Sequence, residues 1–233
     1  MDGIKSKDRV KEHGEVFTPD TLVNDMLDLV EEGINTEELW KFIDTTYLEP
    51  SCGNGNFLLR ILDRKLEAVQ KLSNEQWVIG LVHSLCSIYA IDIQEDNVVE
   101  SKERLKNLIF NGNVELLDIK DANTPGFHFK KYTSTPELDK VINFILDNNI
   151  ICGSSLDGSQ YAHGKSTGKD IDIIEYIWDG NNVTCIQNIF NSMVEGSIFY
   201  GLEGKKLGTI DYMKLYTIKD SGTMESNEDR LEF

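Results

Sequence analysis

The residue types able to do chemistry crowd into one stretch, Glu49-Pro50-Ser51-Cys52-Gly53-Asn54-Gly55. An acid, a hydroxyl, a thiol and an amide sit among two glycines. Just upstream, Tyr47 and Leu48 suit a strand. Pro50 ends that ladder because it carries no N–H. Just downstream, Phe57-Leu58-Leu59 opens an apolar helical run. Gly53 and Gly55 let the backbone turn tightly and approach a ligand closely. A glycine loop between strand and helix is a ligand cradle in doubly wound α/β folds. The nucleotide-phosphate type is excluded, since no Gly-Lys-Ser/Thr follows and Gly-x-Gly-x-x-Gly is not completed.

Two further stretches belong with this loop. Ser87-Ile88-Tyr89-Ala90-Ile91-Asp92-Ile93 reads as a buried strand ending in a carboxylate. An acid at the end of a second strand is placed to accept hydrogen bonds from both hydroxyls of a ribose. The competing role is a cap on the following helix. Phe17-Thr18-Pro19 precedes a helical apolar stripe of Leu22, Val23, Met26, Leu27, Leu29 and Val30, stopped by Gly33. Thr18 suits the N-cap and Pro19 the first helical position.

On these residues the chain resembles the DNA adenine-N6 methyltransferases, above all the modification subunits of restriction systems. Those carry Glu-Pro-Ala/Ser-Cys-Gly-x-Gly at their S-adenosylmethionine loop. They also carry a Phe/Tyr-Thr-Pro before a helix, as a second cofactor contact upstream of the loop. The resemblance implies a Rossmann-like S-adenosylmethionine-dependent methyltransferase fold. That is an α/β fold with a mostly parallel central sheet, helices on both faces and, here, a small β-rich C-terminal part. It assigns cofactor contacts to Phe17, Thr18 and Pro19, and to Glu49, Pro50, Ser51, Cys52, Gly53, Asn54 and Gly55. Cys52 is expected to line the ligand, not to act as a nucleophile. Asp92 is expected on the ribose and Ile93 on the adenine. Where such enzymes read Gly-Asp-Ser-Leu, with the Asp on the adenine amine, this chain reads Gly153-Ser154-Ser155-Leu156. Ser154 keeps one hydrogen bond and loses the charge-assisted one.

The same resemblance exposes a gap. Adenine-N6 chemistry flips the base and holds it in Asn/Asp/Ser-Pro-Pro-Tyr/Phe. The amine hydrogens are accepted there, so the lone pair is turned towards the sulfonium methyl. This chain has four prolines, Pro19, Pro50, Pro125 and Pro136, and no two are adjacent. At the expected place, after Ile171-Asp172-Ile173-Ile174, the sequence continues as strand through Glu175-Tyr176-Ile177-Trp178. Glu175 or Tyr176 are left to improvise a base-binding site, without the rigid main-chain acceptor. No catalytic residue is assigned.

Composition bounds the partners. The chain has 233 residues, 40% hydrophobic and 27% charged, as in a globular domain. Its formal net charge is −17, with 40 acidic residues against 23 basic. Tight unaided grip on duplex DNA needs the opposite balance. DNA is therefore a partner by resemblance, and a protein partner or a homo-oligomer is expected. No apolar run reaches membrane-spanning length, so no membrane partner is expected and the location expected is cytoplasmic. Compact versions of this kind suit a phage or mobile element. The cysteines Cys52, Cys86, Cys152 and Cys185 lie far apart without zinc spacing, and read as reduced thiols.

The expected organisation is an arm or first helix over 1–13, a methyltransferase-like domain over 14–219 and a polar tail over 220–233. The β-rich part covers 170–219. Helices are expected over 36–43, 57–72, 76–85, 94–110 and 136–147, with His83 a core histidine. Phe127, His128, Phe129 and Tyr132 interleave with Lys130 and Lys131 and read as a loop packing its aromatics inward. Gly158 to Gly168 reads as a mobile loop, Ile189 to Val194 as a short helix and 196–219 as edge strands. Three functions stay open: a divergent DNA adenine methyltransferase; a non-catalytic cofactor-binding sensor or subunit of a modification complex; an acidic protein that binds restriction–modification components.

Overall fold

The computed structural model describes residues 5–13, 16–34, 37–111, 132–190 and 204–218. What the sequence suggests for residues 14–15, 36, 127–131, 191–203 and 219–233 lies outside them. In chain order the elements are α1 (Lys7–His13), α2 (Asp20–Glu31), α3 (Leu39–Asp44), β1 (Tyr47–Glu49), α4 (Asn56–Val69), α5 (Trp77–Cys86), β2 (Ile88–Asp92), α6 (Glu95–Asn111) and α7 (Pro136–Asn149). Then follow β3 (Ile150–Ser154), β4 (Ser159–Ala162), β5 (Lys165–Asp170), β6 (Asp172–Asp179), β7 (Asn182–Ile189), β8 (Lys205–Asp211) and a 3-10 turn at Tyr212–Thr217.

The protein is α/β, with a mixed five-stranded sheet in the order β1-β2-β3-β4-β5. The first three strands run parallel, joined by helical crossovers, and β4 and β5 continue antiparallel. A separate antiparallel sheet, β6-β7-β8, follows. Side chains alternate along β2. Ile88 and Ala90 join the large core made with the helices, whereas Tyr89 and Ile91 join a smaller cluster with Ile171, Ile173 and Phe190. Among the described residues the cluster on that second face is built from the segment around β6, not from helices, where helices were expected on both faces.

The stretch expected as a mobile loop, Gly158 to Gly168, is instead the β4–β5 hairpin. Its two-residue turn is His163-Gly164, both at positive φ, 52° and 74°, the backbone that matches strand twist in tight hairpins. All six residues of β5 are exposed, so it lacks the apolar alternation that marks a strand. Residues 205–211 form a strand as expected, but Tyr212–Thr217 coils into the 3-10 turn. Asp211 caps that turn by accepting from the Met213 N–H at 2.9 Å.

Helix α2 begins one residue later than expected. Pro19 takes the N-cap position and Thr18 makes no side-chain cap. The helix is held on α4 by long-range charge. The Arg60 guanidinium grips both oxygens of Asp20 at 2.6 Å. Arg64 pairs with Asp28 and Glu31 at 2.7 Å, and the Tyr47 hydroxyl donates to Glu31 at 2.8 Å. These pairs fix the approach of Phe17-Thr18-Pro19 to the loop. At the other end of α3, His83 stacks on Trp178 with ring centroids 3.4 Å apart and pairs with Asp44. It is the core histidine the sequence suggested.

Lys65 on α4 is fully buried, with its ammonium donating to Ile43 O, Thr45 O and Ser87 Oγ. It ties the end of α3 to the starts of β1 and β2. Burial pushes its pKa down from 10.5 to about 7, against the pull of Asp44 and Glu31. Between these values the unfolded chain holds a proton that the folded chain has released. Stability therefore rises with pH in that window. Denaturant titrations from pH 7 to 9 will show the unfolding free energy of the wild type rising relative to Lys65→Met, by at most about 1.4 kcal/mol per pH unit. Parallel profiles would contradict the burial argument.

Candidate functional site

The glycine loop follows β1 and opens α4. Gly53 and Gly55 sit at φ +52° and +87°, a region that side chains with a Cβ rarely adopt. Space agrees with conformation. A Cβ on Gly53 would meet the Phe17 ring at 3.1 Å, and one on Gly55 would meet Ser101 Oγ at 2.9 Å. The loop is closed by a turn in which the Gly55 N–H donates to Cys52 O at 2.9 Å.

Asp92 ends β2 beside this loop and is 6% exposed. Its Oδ2 accepts from the Gly53 N–H at 2.8 Å. Its Oδ1 accepts from the Gln94 N–H at 2.8 Å and from Asn97 Nδ2 at 3.2 Å. The capping role and the loop role are thus both filled by one carboxylate. Three bonds occupy three of the roughly four acceptor positions that a carboxylate offers. The loop amides are used as well, since Cys52 N–H donates to Ile91 O at 3.0 Å. With the Cys52, Gly53 and Gly55 N–H groups engaged inside the protein, the loop does not form the N–H concavity that holds a phosphate.

The other expected site residues divide. Phe17 packs its ring on Gly53, and Thr18 O accepts from Asn56 Nδ2 at 2.9 Å. Pro19 and Ser51 are exposed and Pro50 is half-buried at the rim. Glu49 Oε1 accepts from the Ser51 N–H at 3.2 Å. Burial first, and then the nearby Asp92 charge, push the Glu49 carboxyl up, although the Ser51 bond opposes them. Ile93 stands 40% exposed beside Asp92. Asn54 is half-buried, and its Oδ1 is a buried acceptor without a partner among the described residues. Cys52 is buried: its side chain belongs to the helix-packed core with Sγ towards Ser101, and burial pushes the thiol up. Ser154 ends β3 and its hydroxyl is turned to Asp157.

Helix α6 supplies support that no local pattern announces. Ser101 Oγ donates to Gly53 O at 3.0 Å. The buried Arg104 guanidinium donates to Asn54 O and to Asn56 Oδ1. These residues lie about fifty positions from the loop, so spacing gives no signal for them.

Glu175 and Tyr176, the candidates for an improvised base pocket, are engaged elsewhere. Glu175 accepts from Asn188 Nδ2 at 3.3 Å, and the Tyr176 hydroxyl donates to Asn149 Oδ1 at 3.2 Å. A pocket lined mainly by Leu48, Tyr89, Ile91, Ile173 and Phe190, with Thr46 and Asn149 at its wall, lies on the sheet face. Its lining is almost entirely apolar, so it is packing space and offers no chemistry. Among the described residues no group of acids, histidines and cysteines is arranged to hold a metal ion, and no helix is long and apolar enough to cross a membrane.

No protein-family model matches the chain, and no curated protein matches it.

The loop geometry makes a direct prediction. Gly55→Ala will lower stability by about 1–3 kcal/mol, from positive φ and from contact with Ser101. Ser101→Ala in the same chain will relieve only the part of the contact made by Oγ, since the Ser101 Cβ would still lie 3.1 Å away. Urea titration of both variants checks this, and an unchanged midpoint in Gly55→Ala would refute the strain.

Proposed function

We propose that this chain binds S-adenosylmethionine at the Gly53–Asp92 junction, as the cofactor half of a DNA adenine-N6 methyltransferase-like protein. The three parallel strands with helical crossovers are read as the start of a Rossmann-like methyltransferase sheet. The observation that carries the reading is the 2.8 Å bond from the Gly53 N–H to Asp92 Oδ2, which joins the glycine loop to the acid of the next strand.

Charge and shape support it. Glu49 and Asp92 suit a ligand carrying sulfonium and ammonium groups and oppose a phosphate. The occupied loop amides disfavour phosphate on separate grounds. Asp92 retains one acceptor position for a ribose hydroxyl, the exposed Ile93 offers an apolar surface beside it, and Phe17 closes the loop from the side of α2.

Methyl transfer by the chain alone is not part of the proposal. The sequence lacks the paired prolines, and both substitute side chains are bonded within the protein. The chain acts as a cofactor-binding subunit or sensor, and any transfer to DNA uses a base pocket supplied by a partner. The charge of −17 agrees with a dependence on another protein for DNA contact.

Calorimetric titration with S-adenosylmethionine and with its demethylated product tests the reading. Both ligands will bind the wild type. Ser154→Asp will tighten binding about tenfold by restoring a charge-assisted bond to the adenine amine. Labelled methyl will not pass to DNA from the chain alone. Failure of both ligands to bind a folded sample would end the proposal, and transfer by the chain alone would restore the enzyme reading.

A further inference from the structure

Helix α2 carries more apolar surface than its own fold covers. At about 100° per residue, Val23 and Leu27 fall together and are buried. Asp20, Asp28 and Glu31 fall to one side, where they meet Arg60 and Arg64. On the other side the apolar sector continues over a further arc of about 100°. Leu22, Met26, Leu29 and Val30 fill that arc and are 44–68% exposed. Their spacing of i, i+4, i+7 and i+8 makes one strip two turns long. A lone exposed leucine is ordinary, whereas a continuous strip marks a contact surface.

Charge selects the occupant. Helix α2 carries neither Lys nor Arg. Asp25 and Glu32 are exposed along the solvent border of the strip, without an ion-pair partner among the described residues. A second copy would set two such borders, and two chains of charge −17, against each other. An anionic lipid surface is opposed for the same reason.

We propose that the outer face of α2 docks an amphipathic helix of another protein, one whose apolar stripe is flanked by Lys and Arg. The four side chains seat the apolar stripe, with Met26 adaptable in shape. Asp25 and Glu32 meet the basic flank and set its orientation. This surface is independent of the cofactor reading.

The test uses the full chain and a fluorescent peptide of about eighteen residues, with Leu at helical spacing and Lys on the flanks. Controls are the same pattern with Glu on the flanks and a scrambled Lys/Leu peptide. Anisotropy titration will show the patterned basic peptide binding at least tenfold tighter than either control. The variant L22Q/M26Q/L29Q, checked for fold by circular dichroism, will lose that preference. D25K/E32K will shift it towards the Glu peptide. Equal binding of all peptides, or a preference that survives the triple variant, would overturn the proposal. Sedimentation of the chain alone assigns the face to a second copy if a dimer forms and the triple variant abolishes it. Binding to anionic phosphatidylserine vesicles, lost in the triple variant, assigns it to a membrane. Either result also overturns the proposal.

Discussion

The Asp92 carboxylate is the joint at which strand, loop and helix meet. A carboxylate that is 6% exposed survives burial only if hydrogen bonds replace its water. Gly53, Gln94 and Asn97 do so. Each bond also holds something else in place: the turn of the glycine loop, the start of α6, and the side chain of the helix that braces the loop from below. Bonds to a buried charge contribute about 1.5–3 kcal/mol each, enough to fix one loop conformation among many.

The loop is held from two further directions. Ser101 and Arg104 take its carbonyls. From the side of α2, Phe17 sits on Gly53 because Arg60 and Arg64 clamp α2 to α4. The side chain of Arg60 is 3% exposed and makes a two-pronged contact with Asp20. Removing Asp20 would leave the buried guanidinium with Asp63 at 3.5 Å, and would cost at most the roughly 3–5 kcal/mol of a broken buried pair. The site is thus positioned by charge pairs outside it. The chain's acidic surplus is partly structural, because Asp20, Asp28 and Glu31 are the partners of those two arginines.

Legibility in the sequence followed range of interaction. The glycine loop and the strand ending in Asp92 are local patterns and stand where residue types place them. Contacts between residues 40 to 50 positions apart, such as Arg60 with Asp20 and Arg104 with Asn54, leave no periodic trace. The β4–β5 hairpin was hidden for another reason. Its outer strand is polar throughout, so backbone pairing and a His163-Gly164 turn make it a strand without any apolar alternation. The uncovered arc of α2 was hidden inside one broad apolar stripe. Sequence shows the width of such a stripe, but only packing shows how much of it the fold uses.

The decisive question is whether a nucleoside cation sits where loop and acid meet. Amide chemical shifts of the ¹⁵N-labelled chain, followed through a titration with S-adenosylmethionine, address that residue by residue. Binding there will give saturable shifts centred on Phe17, Gly53, Asn54, Asp92 and Ile93, with the β6–β8 sheet unmoved. A saturating excess of ligand that leaves Gly53 and Asp92 in place, or that shifts a different region, would contradict it.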